Sequence, residues 1–421
     1  MAMFYQEEAD VLVAGGGTAG VVAAIQAARA GASVALVEMG QQLGGTMTTG
    51  GVSAPAYFWS RHKQIIAGIG WELVKASVDL DDGVLPDFAT PNPRRPSYHV
   101  RVSPYVYALL AEEACVKAGV TVHYGEFPVE ALSEGNRWRV RTMGKNVERV
   151  IVAREMIDCT GDADMAGLLG LERECDATRQ PGTLEFSLAG YDAAALDEQA
   201  IQARFEAAMA SGELRPGDFC YADKPFVAFL KGGGFNQQHV FGADSSTAAT
   251  QTQANLDGRA SLLRLLRFVR GLPGCEKAFI AKMFGLTMAR ETYRIVGETR
   301  ITYEDYMSGR RFDDAVCYTL YFIDIHNEKG THHEFLDDDV IPTIPMGALI
   351  PKGSQRILVA GRCLSCDRKA FSALRVEASC MAMGQAAGAA AALGAQRHMP
   401  SRDVPIEDVR ALLREHGAIV P

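Results

Sequence analysis

No stretch of this chain is apolar for long enough to cross a bilayer; the nearest approach, around Ala386 to Leu393, is an alanine-rich helix. Basic residues are outnumbered, 42 Lys and Arg against 51 Asp and Glu, giving a formal charge of −9. An acidic surface argues against nucleic acid or an anionic membrane as the main partner. The opening MAMFYQEEAD lacks the apolar core of a secretory signal. Nine scattered cysteines, an odd number, offer no disulfide framework and fit a reducing cytoplasm. Internal repeats and low-complexity tracts are also missing. What remains is a globular chain of 421 residues, enough for about two to three domain units and a large core.

The most informative stretch runs from Asp10 to Glu38. Val11 to Ala14 read as a short buried parallel strand, and Gly15, Gly17 and Gly20 follow it in G-x-G-x-x-G spacing. A segment from Thr18 to Ala30, nearly free of helix breakers, reads as a helix, so Thr18 and Ala19 lie in its first turn. In this arrangement Gly15 permits a tight turn, Gly17 admits a pyrophosphate to the backbone, and Gly20 lets helix and strand lie close. The helix amino terminus then faces the phosphates. Ser33 to Val37 give the next strand, which ends in Glu38, a carboxylate placed for the hydroxyls of an adenosine ribose, with Met39 beside it.

LGGTMTTGG, from Leu43 to Gly51, then offers bare backbone to a flat ring system or its phosphates; a flexible surface turn is the plainer alternative. Residues 56–96 read as an excursion packed near a cap, with a helix from Lys63 to Ser77 and prolines at Pro91, Pro93 and Pro96. A helix begins at Ser103 with Pro104 at its first position and ends before Gly119. Val120 to Tyr124 continue as a strand, Arg137 to Val152 as a hairpin turning at Gly144 to Asn146, and Met156 to Cys159 as a further short strand. Between 181 and 340 the character changes. An acidic helix spans Asp197 to Ala210, strand-like pieces cover Phe226 to Leu230 and His239 to Gly242, and a helix covers Asn255 to Arg270. Gly232 to Gly234 lack the x-x-G that a second dinucleotide site needs. The chain then returns through a strand at Arg356 to Ala360, a loop over Gly361 to Ala370, and a helix from Ser372 to Leu393. That helix carries Gly384 and Gly388 in a spacing that favours close helix packing. A last helix covers Ile406 to His416.

VAGGGTAG with Glu38, LGGT at Leu43 to Thr46, IDCTGDAD at Ile157 to Asp164, RETYRIVGE at Arg290 to Glu298, IDIHN at Ile323 to Asn327, and ILVAGRCLSCDRKAFSALRVEASCMAMGQAAG at Ile357 to Gly388 run from end to end. Together they resemble the FAD-dependent oxidoreductases, relatives of the fumarate-reductase-like flavoproteins. The resemblance implies an α/β fold: a glutathione-reductase-type, Rossmann-like FAD-binding domain with a parallel sheet and an antiparallel meander, plus a smaller mixed α+β cap. Residues 1–55, 97–180 and 341–421 would form the first, and 181–340 the second. It implies FAD as cofactor, with Gly15, Gly17 and Gly20 at the pyrophosphate, Glu38 on the ribose, and Gly44, Gly45 and Thr46 along the pyrophosphate and flavin side. Val129 would border the adenine through its backbone. Thr160 and Gly161 would close over the cofactor, Gly361 and Arg362 would sit at the ribityl chain, and a helix start near Ala373, Leu374 and Arg375 would aim its amides at the flavin pyrimidine edge. Negative charge gathers there on reduction. Cys366, a second cysteine after GRC, departs from the family pattern.

For chemistry, Asp324 and His326 alternate on one strand face, so the carboxylate can orient an imidazole that carries a proton. A structural histidine at a cap hinge is the alternative. Arg290 and Arg294, four apart, would share a helix face and clamp an anionic substrate, or else bridge Glu291 and Glu298. Asp162 and Asp164 read as caps of the cofactor loop rather than catalytic carboxylates. Cys363 and Cys366 invite a dithiol reading, but flavin disulfide reductases place their pair after the first nucleotide turn, and residues 39–60 hold no cysteine. No metal site is expected, and His332 and His333 read as solvated. The expectation is an oxidoreductase moving a hydride between a small polar substrate and non-covalent FAD, with oxygen, a quinone or a protein partner as acceptor. A reductase fed by another donor and a non-catalytic binding protein are the alternatives. A homo-oligomer is left open.

Overall fold

The computed structural model describes residues 2–89, 98–220 and 224–421; the expected prolines at 91, 93 and 96 lie outside them. Strand β1, Met3–Ala14, starts well before its apolar end and is followed by helix α1, Thr18–Arg29, and β2, Val34–Glu38. Helices α2, Ile69–Leu80, and α3, Pro104–Lys117, lead to β3, Thr121–Tyr124. Then come β4, Glu126–Glu134, β5, Arg137–Gly144, and β6, Val147–Asp158. The expected short strand at Met156 is therefore the end of one long β6. Its first part pairs antiparallel with β5, and Met156 to Asp158 pair in parallel with a later strand at Ile357 to Val359. β1 pairs in parallel with β2 and β6, and β2 with β3, so the main sheet runs β3-β2-β1-β6-β5-β4.

After a short α4, Asp164–Leu168, and β7, Arg173–Glu174, the cap opens with β8, Phe186–Ala189, and α5, Glu198–Ser211. Next is α6, Phe226–Gly232, a helix where a strand was expected. Its aromatic residues suit either structure in isolation, and packing decides: Phe226 stacks on Phe205 at 4.7 Å and on Phe229 at 5.1 Å. Around His239 only Val240 makes a bridge, to Gly182, where a strand was expected. Helix α7, Ala248–Arg270, starts earlier than Asn255 because Thr247 and Thr250 cap it reciprocally. β9, Phe279–Met283, pairs with β8, and β10, Arg294–Ile295, with β7. The ribbon and the helices of this region close around phenylalanines and leucines between Leu184 and Ala278.

The return contains α8, Tyr303–Met307, β11, Ala315–Tyr318, β12, Ile323–Asn327, β13, Gly330–Glu334, β14, Thr343–Pro345, and β15, Ile357–Val359. It ends with α9, Arg368–Leu374, α10, Glu377–Arg397, and α11, Ile406–Glu415. Ile301, Val316, Phe322 and Leu336 pack into the core around α1 and α10. So do Tyr57, Phe58 and Ile69 of the excursion, which was expected against the cap; the core on which residues 301–336 and 56–78 rest is that of the nucleotide half. α10 lies directly on α1. A Cβ on Gly384 would stand 2.2 Å from the Ala19 carbonyl oxygen, and one on Gly388 2.4 Å from that of Ala23.

Candidate functional site

The carboxyl ends of β1, β2, β6 and β15 meet at one crevice, the place where open α/β sheets bind ligands. Gly15 leaves β1 with φ 98°, and a Cβ there would stand 2.5 Å from the Cys159 carbonyl oxygen. Gly20 is tighter still, its Cβ falling 1.8 Å from the Gly15 carbonyl oxygen. Gly17 differs: its φ is −68°, open to any residue, and an added Cβ would meet nothing within 4 Å. Packing thus requires two of the glycines, while the third faces open space at the start of α1. No side chain caps that helix, so its first-turn amides remain available to an anion.

Glu38 ends β2 with its carboxylate already engaged: Gly16 N–H donates to Oε2 at 2.7 Å and Gly40 N–H to Oε1 at 2.6 Å. Burial pushes this carboxyl up, and the two amides oppose it. Met39 next to it is exposed. Gly44 N–H donates to the Gly16 carbonyl at 2.8 Å, which lays the Gly44, Gly45 and Thr46 backbone along the glycine turn; a Cβ on Gly45 would stand 2.9 Å from Gly17 Cα. The β4–β5 register slips between Pro128 and Glu130, which leaves Val129 at a bulge with its backbone outside the ladder. Behind Thr160 and Gly161, buried Asp158 accepts the Thr160 hydroxyl at 2.7 Å and the Ala166 N–H at 3.1 Å, fixing the loop. Asp162 accepts from Ser245 at 2.9 Å and from Thr292. Gly361, at φ 88°, follows β15, and Arg362 donates to the Ala289 carbonyl at 2.5 Å.

A second set of groups lies where the cap meets this half. β12 does put Asp324 and His326 on one face, and His326 Nε2 stands 3.2 Å from Asp324 Oδ2. His326 Nδ1 lies 2.8 Å from Nε2 of His239, which comes from the cap. A carboxylate only accepts, so Nε2 of His326 carries the proton, and in the neutral ring Nδ1 accepts from His239. Asp324 also receives His333 Nε2 at 3.2 Å and Arg375 at 3.3 Å. Burial alone would raise this acid, but the hydrogen bonds from His326 and His333 and the charges of His326 and Arg375 hold it well below the usual carboxylate range. Burial, then the Arg290 charge, pushes His326 down to about 4 against the pull of Asp324. Burial and Arg290 likewise push His239 down to about 3. Both rings are therefore neutral near pH 7.

The sequence matches the FAD dependent oxidoreductase family from residue 10 to residue 413. The chain belongs to that family. This flavoenzyme has FAD as its cofactor, and the crevice fits it, with a glycine opening at a helix amino terminus and an acid at the end of the second strand. A comparison with curated proteins finds no match. Solved structures resemble the flavoenzyme at low identity. A geranylgeranyl bacteriochlorophyll reductase-like protein from Thermoplasma acidophilum is 12% identical, with 97% of this chain and 83% of that one covered and a TM-score of 0.44. The p-nitrophenol 4-monooxygenase of Pseudomonas putida DLL-E4 is 12% identical over 98% and 85%, with a TM-score of 0.42. The anhydrotetracycline hydroxylase OxyS of Streptomyces rimosus is 13% identical over 98% and 66%, also at 0.42. The assignment rests on the family match. Among the described residues of this flavoenzyme, no helix is long and apolar enough to cross a membrane, and no group of three or more His, Cys, Asp or Glu could hold a metal ion.

Several expected site residues of the flavoenzyme stand elsewhere. Arg290 and Arg294 do not share a helix: the segment is extended and Arg294 lies in β10. Arg294 is 2% exposed and tied to Asp176 at 2.6 Å and to the Cys366 carbonyl at 3.1 Å, a structural role. Glu291 receives Arg368 and Gln180 instead, and Glu298 receives Arg402. Arg290 stays near the histidines, donating to the Pro181 carbonyl at 2.5 Å and to Asn236 at 3.1 Å. The single helix expected from Ser372 is two. Ala373 and Leu374 close α9, Arg375 caps it, and extended Val376 starts α10, so the first-turn amides there belong to Glu377 onward. Neither Arg375 nor Val376 breaks helices by type. The tertiary bonds of Arg375 to Asp324 and of Ala378 N–H to the Pro55 carbonyl accompany the break. Cys363 and Cys366 are fully buried free thiols, both pushed up by burial, which suits packing and not redox exchange. His332 and His333 are exposed, as expected, and His333 Nε2 also reaches Asp324. His239 went unread because a lone histidine among polar residues carries no periodic signal.

Proposed function

We propose that this flavoenzyme takes a hydride from a small hydroxylated or carboxylated molecule onto non-covalent FAD, with oxygen, a quinone or a protein partner as the final acceptor. The observation that carries the reading is the buried chain His239, His326, Asp324 at the edge of the cofactor half. In this reading the α1 amides beyond Gly17, flanked by Gly44, Gly45 and Thr46, hold the pyrophosphate. Glu38 and the Met39 backbone border the adenosine ribose, and Val129 borders the adenine. Thr160, Gly161, Asp162, Gly361 and Arg362 border the ribityl chain, and the first turn of α10, next to Arg375, faces the pyrimidine edge.

FAD supplies the hydride acceptor. The chain's own residues manage the proton that a hydroxyl group must lose. His326 accepts it at Nδ1, its one unprotonated nitrogen, which the resting hydrogen bond from His239 must yield, while Asp324 holds the Nε2–H and offsets the charge the ring gains. The cap excludes water from these groups, which are 9% exposed or less. The test is an anaerobic panel of polyols, sugars and hydroxy acids, read by bleaching of the bound flavin. A reducing substrate is expected, and His326→Ala should slow its reduction by roughly a hundredfold or more. Unchanged reduction in that variant would remove His326 from the chemistry.

A further inference from the structure

One face of the cap ribbon turns away from the phenylalanine core. Phe186 and Leu188 point into that core, whereas Ser187 and its cross-strand partner Lys282 lie on the opposite face, with Glu185 two residues before Ser187 on the same side. Lys282 Nζ sits 4.9 Å from the Tyr105 ring, which stacks on Phe284 at 6.2 Å. Phe284 covers Gly51, where a Cβ would fall 2.3 Å from the ring. This face therefore lies over the loop that leads away from Gly44 and Gly45. Arg101 arrives beside it, since Val102 N–H donates to the Ser53 carbonyl at 3.0 Å.

Glu185 is 5% exposed, and its Oε2 has no hydrogen-bond partner among the described residues. Three cations face it from three places: Lys282 on β9, Arg101 before α3, and Arg290 beyond β9. Burial nevertheless dominates and pushes its carboxyl up to about 8. Near pH 7 the acid is largely neutral and neutralises none of that charge, and Arg101 and Lys282 make no ion pair among the described residues. A buried carboxyl with an unbonded oxygen, set beside Arg101 and Lys282, is the complement of a ligand carboxylate. His99 ties this place to the histidine chain, for Arg101 and Asp324 both act on its ring.

We propose that the substrate carries a carboxylate, and that it is seated between Arg101, Lys282 and the Glu185 carboxyl. This rests on the oxidoreductase reading above and names the substrate class for it. Glu185 in its neutral form donates a hydrogen bond to the bound anion. Once ionised, it competes with that anion for the two cations.

The test is calorimetric titration of the FAD-loaded protein with malonate and, separately, with inorganic phosphate, with flavin content read by absorbance. Malonate is expected to bind, and Arg101→Gln and Lys282→Gln should each weaken it about tenfold with flavin content unchanged. Binding should decline above about pH 8, as Glu185 ionises, and Glu185→Gln should remove that decline while keeping affinity near pH 7. Absence of malonate binding, or binding indifferent to Arg101→Gln and Lys282→Gln, overturns the proposal and leaves the flavin chemistry standing. Phosphate binding through these residues with malonate excluded overturns the carboxylate assignment. A protein that binds malonate as described but reduces its flavin with no substrate supports the seat and counts against the oxidoreductase reading.

Discussion

The α1–α10 contact of the nucleotide half and the aromatic core of the cap are packed by opposite means. In the nucleotide half, backbone meets backbone: Gly20 against the Gly15 carbonyl, Gly384 and Gly388 against α1, and a run of buried alanines from Ala386 to Ala392 between them. In the cap, large rings fill the space, with Phe186, Phe226, Phe229 and Phe268 all within 1% of complete burial. A backbone-to-backbone contact admits one residue type, whereas a ring-filled core admits many. The α1–α10 contact is thus written in positions that cannot change, and the aromatic core of the cap in positions that can.

The largest expected effect that sharpens this contrast is Gly384→Ala. Its methyl group would meet the Ala19 carbonyl oxygen at 2.2 Å, backbone that cannot move aside without lifting α10 off α1. A loss of more than about 4 kcal/mol is expected, read as failure to obtain folded, flavin-loaded protein. Phe226→Ala should cost about 3–5 kcal/mol, read by denaturant unfolding, yet leave flavin content intact because its neighbours all belong to the cap. Flavin loss in that variant would mean the halves are not packed independently. Smaller again is His239→Ala, which removes the one cap ring on His326; about a tenfold drop in turnover is expected, and combination with His326→Ala should add little further.

The same contrast explains what the sequence disclosed. The glycine turn, the acid closing β2 and the close-packing face of α10 could be read directly, because each demands particular residues at particular spacings; that α1 is what α10 packs on could not. Phe226 to Leu230 could not be told as helix or strand, since five apolar residues fit both until Phe205 and Phe268 close around them. The break at Arg375 and Val376 follows from tertiary bonds, and neither residue signals it. Arg294 looked like a substrate clamp by its spacing from Arg290. Only the fold reveals Asp176 and the Cys366 carbonyl as its partners. The histidine chain joins residues 87 apart in sequence, so only half of it, His326 with Asp324, was within reach of local reading.

The account turns on the different duties of three neighbouring glycines, and Gly17→Ala tests it most directly. A methyl group there meets nothing of the protein within 4 Å and sits at an ordinary φ of −68°. The measurement is flavin content of the purified variant, with the melting temperature of the flavin-free protein taken alongside. The expected result is an unchanged melting temperature with FAD occupancy largely lost, because the space that the methyl group enters is where the proposed placement seats the pyrophosphate. Full occupancy in a normally folded variant would contradict it.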